Sequence, residues 1–223
     1  MKRRNTIMAK FTKITVLSFV LLTAGLLVVM AGDFRSASAE PIVSKTLQNL
    51  QSAFEGESNA HNRYITFAQK ADQEGYGEVA SLFRALARAE EVHMRNHAEV
   101  IRKMGAEPEA RLAKFFTQST RKNLESSANK FEFYEGDKIY PKYIIQARAE
   151  GNADAVRTFE YARAAELQHV KLLDAALKNL ERMLGKMRTY YVCPVCGATS
   201  DTQPIHEMCP ICGKPADEYE KVN

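Results

Sequence analysis

A chain of 223 residues with 45% hydrophobic and 26% charged residues has the make-up of a globular protein, long enough for one medium domain and something small. The net charge of +4 gathers at one end: residues 1–39 hold six Lys or Arg and one acid, and the remainder carries 25 basic against 26 acidic side chains. That near-neutral remainder leaves no basic surface for nucleic acid, and this class of function is excluded.

The N-terminus reads as a targeting segment. Lys2, Arg3, Arg4, Lys10 and Lys13 precede an uninterrupted apolar or small run of 18 residues, Ile14 to Ala31. Ala37-Ser38-Ala39 fits the small-x-small rule of signal peptidase, so residues 1–39 would be a signal peptide and Glu40 the first mature residue. The run is also just long enough to span a bilayer, so an uncleaved anchor through residues 14–31 stays open beside the cleaved signal. Either way residues 40–223 are expected to be exported, to the periplasm or another extracytoplasmic space. Arg3-Arg4 is similar to a twin-arginine signal for folded cargo, although Thr6 stands where that motif has an aromatic.

Four stretches with apolar steps of three and four follow, the mark of amphipathic helices sharing one core. The first seam runs Leu47, Leu50, Phe54, Glu57, His61, Tyr64, Ala68. The second runs Val79, Leu82, Leu86, Glu90, His93, His97, Val100, Met104. After a polar loop with Pro108, the third takes Leu124, Ala128, Glu132, Glu135 and Ile139. The fourth takes Ala155, Phe159, Ala162, Glu166, His169, Leu173, Ala176, Leu180 and Met183. Gly75 and Gly151 mark short breaks, with Asn152 or Asp154 as N-cap of the last helix. The pattern predicts an all-α four-helix bundle over residues 40–187. Pro141 lacks a backbone donor and should kink or unwind the third helix after Tyr140. Residues 188–223 are punctuated by Pro and Gly around a short strand, Tyr190-Tyr191-Val192, and are too few to bury a core unaided.

The seams carry chemistry where a core should be apolar. A lone glutamate followed by E-x-x-H occurs twice: Glu57 with Glu90 and His93, then Glu132 with Glu166 and His169, with Glu135 added. Side chains at i and i+3 share one helical face and can reach one ion. Five carboxylates in one apolar core would be strongly destabilising unpaired, and two divalent irons nearly neutralise them. Carboxylate oxygen and imidazole nitrogen suit iron, so a di-metal centre is expected. His61 and His97 also lie on the seams. They are either hydrogen-bonded bundle histidines or residues that support the metal site and deliver protons. His206 falls in the terminal loop and is expected to be solvated.

Cys193-Pro194-Val195-Cys196-Gly197 and Cys209-Pro210-Ile211-Cys212-Gly213 are paired knuckles separated by twelve residues. Each presents two thiolates, and together they complete a tetrahedron around one ion, in preference to two disulfides. Thiolate tetrahedra take iron or zinc: zinc would be structural, whereas iron would pass single electrons.

In order and spacing, Phe54-Glu55-Gly56-Glu57-Ser58, Asn62-Arg63-Tyr64, Glu90-x-x-His93, Glu132-x-x-Glu135, Tyr140-Pro141, Glu166-x-x-His169 and the terminal cysteine pairs resemble the rubrerythrin family over residues 45–223. The resemblance implies a ferritin-like di-iron bundle, residues 40–187, followed by a rubredoxin-like four-cysteine domain, residues 188–223. It implies an oxidoreductase reducing hydrogen peroxide to water, with electrons from an NADH-linked or other redox-protein donor. Glu90 and Glu166 would bridge the irons, Glu57 would bind the first, and Glu132 with His169 the second. The first iron would exchange between His93 when reduced and Glu135 when oxidised. Tyr64 and Tyr140 would donate hydrogen bonds to ligands and relay protons. The rubredoxin-like iron would feed the di-iron site of a partner subunit in a head-to-tail homodimer. Export departs from the family's usual cytoplasmic setting and calls for a periplasmic or membrane-linked donor.

Two other readings stay open. A ferroxidase would use dioxygen and draw electrons from ferrous substrate, leaving Glu135 and the cysteine site without purpose. A non-enzymatic metal-binding bundle would carry zinc in the terminal ribbon.

Overall fold

The computed structural model describes residues 44–204 and 208–223. The basic segment, the apolar run, the motif at Ala37-Ser38-Ala39 and His206 lie outside the described residues. Among the described residues, no helix is long and apolar enough to cross a membrane.

Helix α1 spans Lys45–Gln73 and is capped by Ser44, whose hydroxyl accepts from the Leu47 amide at 3.0 Å. Gly75, at φ 80°, turns the chain into α2, Gly77–Lys103. The long connection that follows runs back along α1, held by two side-chain amides. Gln51 donates to the Glu107 carbonyl and accepts from the Glu109 amide; Asn59 pairs likewise with Arg111 and Ala113.

The third rod is not one regular helix. It begins as α3, Thr120–Ser126, and ends as α4, Tyr140–Ala149, with π-helical turns over Ser127–Glu132 and Glu135–Ile139 between them. Pro141 lies in the first turn of α4, where its missing amide costs least. The expected local unwinding is therefore present and takes the form of π turns upstream of the proline. These wide turns shift the seam by a residue: Ile139, expected inside, is half-buried, and Tyr140 takes the core position at 2% exposure. Helix α5 spans Ala153–Asn179, capped by Asn152 through the Ala155 amide at 2.9 Å.

Two apolar clusters fill the bundle. One gathers Leu50, Val100, Ile101, Ile144 and Phe159; the other gathers Phe67, Phe83, Leu86, Leu124 and Leu173. The stretches of α1, α2 and α5 that join these clusters carry Glu57, Glu90, His93, Glu166 and His169. The C-terminal piece is a three-stranded antiparallel sheet in the order β2-β1-β3, with β1 Tyr190–Val192, β2 Thr199–Ser200 and β3 Glu220–Val222. Tyr190 and Val192 belong to the second apolar cluster, so this small domain shares the bundle's core.

Candidate metal centre

Every residue of the two sequence repeats reaches one buried site. Glu57, Glu90, His93 and Glu166 offer ligand atoms that all lie within 4.8 Å of one another, as do Glu90, Glu132, Glu166 and His169. The clusters share Glu90 and Glu166, which places those two carboxylates between two ion positions. All six residues are 1% exposed or less. Glu57 Oε2, Glu90 Oε1 and Glu166 Oε1 are buried without a hydrogen-bond partner. Orphaned carboxylate oxygens converging in an apolar interior are what divalent cations satisfy, so the donor set fits two irons.

The histidines are oriented for the same purpose. His93 Nδ1 faces the carboxylates, 2.9 Å from Glu90 and 3.2 Å from Glu166. Its Nε2–H donates to the Cys196 carbonyl at 3.2 Å. His169 Nδ1 stands 3.0 Å from Glu132 and 3.2 Å from Glu166. Its Nε2 meets Thr199 Oγ1 at 3.2 Å, and that hydroxyl donates onward to the Gly197 carbonyl at 3.0 Å. Each ring thus anchors its Nε2 on the cysteine domain and turns Nδ1 toward the carboxylates, the nitrogen that a metal would take.

Electrostatics follow from burial. Burial first, then the neighbouring carboxylates, push Glu90, Glu166 and Glu135 well above the ordinary carboxylate range. Burial also acts on Glu132, but hydrogen bonds with Glu166, His169 and Tyr64 outweigh it and hold Glu132 at about 2. Burial lowers His93 to about 4, with Glu57 working against it. The Tyr64 hydroxyl donates to Glu132 Oε1 and the Tyr140 hydroxyl to Glu57 Oε1, as a hydrogen-bonding role for each tyrosine requires.

Glu135 stands apart from both clusters. Its Oε2 is buried without a partner, and it lines a cavity of about 190 Å³ together with Glu57, Gly56, Tyr134, Tyr140 and Tyr143. Sequence reasoning assigns no role to Arg63, whose guanidinium stacks 3.8 Å over the Phe131 ring with Nε and Nη2 buried and unpaired. It is a buried cation beside Glu135 and Glu132. Of the two unassigned histidines, His61 gives its Nδ1 to the Ala87 carbonyl at 2.8 Å and ties α1 to α2. His97 is fully buried and bonds to Tyr140 and Thr158.

The four cysteines form the third cluster, again with ligand atoms within 4.8 Å. All are free, and Cys193–Cys212 and Cys196–Cys209 bring their sulfurs to 3.6 Å. That is far too long for a disulfide and close to the edge of about 3.8 Å that metal–sulfur bonds of about 2.3 Å give a tetrahedron. Gly197 and Gly213, at φ 79° and 73°, return their amides to the Cys193 and Cys209 carbonyls and close the two knuckles. The Cys196 thiol, then backbone amides, hold Cys193 down at about 5 against burial. The cysteine domain contacts the carboxylate site of its own chain through Cys196 and Thr199.

A family model described as Rubrerythrin matches residues 48–177. Rubrerythrin-2 of Clostridium acetobutylicum is 36% identical over 167 residues, covering 73% of this chain and 89% of the relative. Nigerythrin of Nitratidesulfovibrio vulgaris is 35% identical over 164 residues, 72% and 79% of the two chains. A structure of fully reduced, all-ferrous nigerythrin superposes with a TM-score of 0.73 at 34% identity, covering 83% and 91%. A Desulfovibrio desulfuricans bacterioferritin, at 24% identity and a TM-score of 0.60, shares the fold. With its ferritin-like bundle, its di-iron ligand set and its rubredoxin-like four-cysteine iron site, the chain belongs to the rubrerythrin family.

Proposed function

We propose that this protein is a non-haem di-iron peroxidase that reduces hydrogen peroxide to water, with electrons passed through the four-cysteine iron. The observation that carries this reading is the contact between Cys196 and His93, which joins the thiolate knuckle to a di-iron ligand in one chain. A ferroxidase draws electrons from its ferrous substrate and has no use for that contact.

When bound, the paired irons supply two electrons together, so that the O–O bond is broken without release of a radical. The chain's own residues hold and shape the site. Glu90 and Glu166 would bridge the two irons, Glu57 would serve the first, and Glu132 with His169 the second. His93 and Glu135 are the alternative ligands of the first: His93 stands inside its cluster, while Glu135 lies against the cavity with an unpaired oxygen. Peroxide reaches the site through that cavity, passing Gly56. Tyr64 and Tyr140 fix the carboxylates they touch. Cys193, Cys196, Cys209 and Cys212 hold the electron-transfer iron. The exported location, cleaved or anchored, is part of the proposal and rests on residues 1–39; the donor is then an extracytoplasmic redox protein.

Glu135→Ala tests the reading. Peroxide turnover is expected to fall by roughly 10²-fold, the scale of losing one transition-state interaction, with iron content retained. Stopped-flow reoxidation of anaerobically reduced protein, followed at the ferric-thiolate absorption, measures it. Undiminished turnover in this variant would overturn the ligand exchange, and reoxidation by dioxygen faster than by peroxide would overturn the peroxidase.

A further inference from the structure

His97 has no place among the metal ligands, yet it is 0% exposed, in an aromatic cage of Tyr140 and Phe159 with ring centroids 6.0 and 5.5 Å away. A polar ring buried there is costly unless both nitrogens are bonded, and both are. Nε2 lies 3.1 Å from the Tyr140 hydroxyl and Nδ1 3.0 Å from Thr158 Oγ1.

Donor accounting gives these bonds a direction. The Glu57 carboxylate accepts only, so the single proton of the Tyr140 hydroxyl goes to Glu57 Oε1. The phenol oxygen then accepts from His97 Nε2–H. A neutral imidazole with its proton on Nε2 has a bare Nδ1, which accepts from the Thr158 hydroxyl. Thr158, 5% exposed, lines a surface cavity of about 200 Å³ with Asn96, Glu99, Lys103 and Asp154. The cavity is large enough for several waters. The chain Thr158, His97, Tyr140, Glu57 thus runs from a polar surface cavity to a metal-site carboxylate with every donor pointing inward.

We propose that Thr158, His97 and Tyr140 form a proton path from this surface cavity to Glu57, separate from the cavity beside Glu135. The proposal rests on the peroxidase reading, in which each peroxide takes two electrons from the reduced irons and two protons to become two waters. A route from the other cavity delivers protons without sharing the cavity beside Glu135 with peroxide. As the Tyr140 proton passes to Glu57 Oε1 and on to the reacting oxygen, the phenol takes the Nε2 proton. Nδ1 takes that of Thr158, and Thr158 takes one from cavity water. One proton enters as one leaves and no relay group keeps a charge; the imidazole is left in its Nδ1 tautomer and must return to the Nε2 form before the path carries the second proton of the cycle. His97 Nε2 stands 3.9 Å from Glu57 Oε1, beyond hydrogen-bond reach, so His97 and Thr158 act through Tyr140 and touch neither metal nor substrate.

The first test does not depend on activity. In the full chain loaded with diamagnetic zinc, imidazole ¹⁵N NMR should show His97 neutral and protonated at Nε2; protonation at Nδ1 overturns the path whether or not the protein reduces peroxide. The second separates conduction from positioning. A glutamine side chain in place of the imidazole can still donate to Tyr140 and accept from Thr158, but passes protons poorly. His97→Gln should keep two bundle irons and native azide affinity while peroxide reoxidation slows by about 10²-fold with a larger solvent isotope effect, whereas slowing without one would mark a positioning role and overturn the path. Wild-type rates in His97→Gln overturn the path. Should that variant lose iron, Thr158→Val, which leaves the imidazole in place, should show the same slowing, and an unchanged rate there also overturns it.

Discussion

Gly197 and Gly213 occupy matching places in the two knuckles, yet a side chain at each would meet different surroundings. Both have positive φ, so alanine costs about 1–2 kcal/mol of backbone strain at either. At Gly213 a Cβ has nothing within 4 Å; at Gly197 it would stand 2.4 Å from His93 Nε2. Gly213→Ala should therefore lower stability by about that backbone amount and leave redox behaviour intact. Gly197→Ala should lose roughly 1–3 kcal/mol more, since overpacking adds to strain, and should slow reduction of the di-iron site by the thiolate iron. Thermal melts and the reoxidation kinetics of the ferric-thiolate absorption compare the pair; equal losses would mean that the close approach to His93 carries no weight. Four of the six ligands in the two clusters were legible at this scale because i, i+3 spacing puts Glu90 with His93 and Glu166 with His169 on one face; Glu57 and Glu132 were legible from their places on the apolar seams. The partners of His97 were not legible, since Tyr140 and Thr158 lie 43 and 61 residues away on other helices.

At the scale of the element, the third rod shows where periodicity reading succeeds and where it slips. Steps of 3.6 residues identify four helices, and three of the four seams hold Leu50, Glu57, Tyr64, Leu82, Glu90, Phe159 and Glu166 inside as expected. In the third rod the π turns add a residue per bond, and hydrogen bonding from i to i−5 leaves no trace in hydrophobic pattern. The shift has a use. Gly136 sits so close to α5 that a Cβ would lie 3.2–3.3 Å from Leu167 and Glu166, and its carbonyl accepts from Arg163 Nε at 3.0 Å. Glu132, Glu135 and Tyr140 can then all serve one site from one rod. Gly136→Ala should lower stability by roughly 1–3 kcal/mol, because the added methyl overpacks against Leu167 and Glu166 of α5, and should lower iron content by pressing on Glu166. Circular-dichroism melts and iron analysis check this, and native stability with full iron would show that the close approach of the π rod to α5 is dispensable.

For the whole molecule, the cysteine domain and the bundle behave as one body because they share both a core and a hydrogen-bond network. Arg88 binds the Glu220 carboxylate with two nitrogens, at 2.6 and 3.0 Å, Asn96 holds the Val195 carbonyl at 2.8 Å, and the knuckle carries the outward N–H groups of His93 and His169. The sequence marks the small domain by its cysteines but cannot say where it docks, because these partners lie 30 to 132 residues apart. The same burial makes the metal-free protein sensitive to pH in an unusual direction. A carboxyl with a raised folded pKa still holds its proton where the unfolded chain has released its own, so its contribution to stability is lost as pH rises. Glu90, Glu135 and Glu166 are of this kind. Glu57 and Glu132 are held low and His93 is lowered to about 4, so these three favour stability as pH rises, but only up to the unfolded histidine value of about 6.5. Above that pH the three raised carboxyls are opposed by Cys193, which is held at about 5 against an unfolded thiol value of about 8.5. Metal-free protein should therefore lose stability as pH rises above about 6.5, three raised groups acting against one lowered one. Bound divalent metal replaces those protons, so the loaded protein should be flat across this range or gain stability with pH as proton competition fades. Denaturant titrations at several pH values, with and without metal, give both slopes. A metal-free protein whose stability holds or rises above pH 6.5 would mean that its carboxylates ionise together without mutual cost, and that two cations are not what this interior is built to hold.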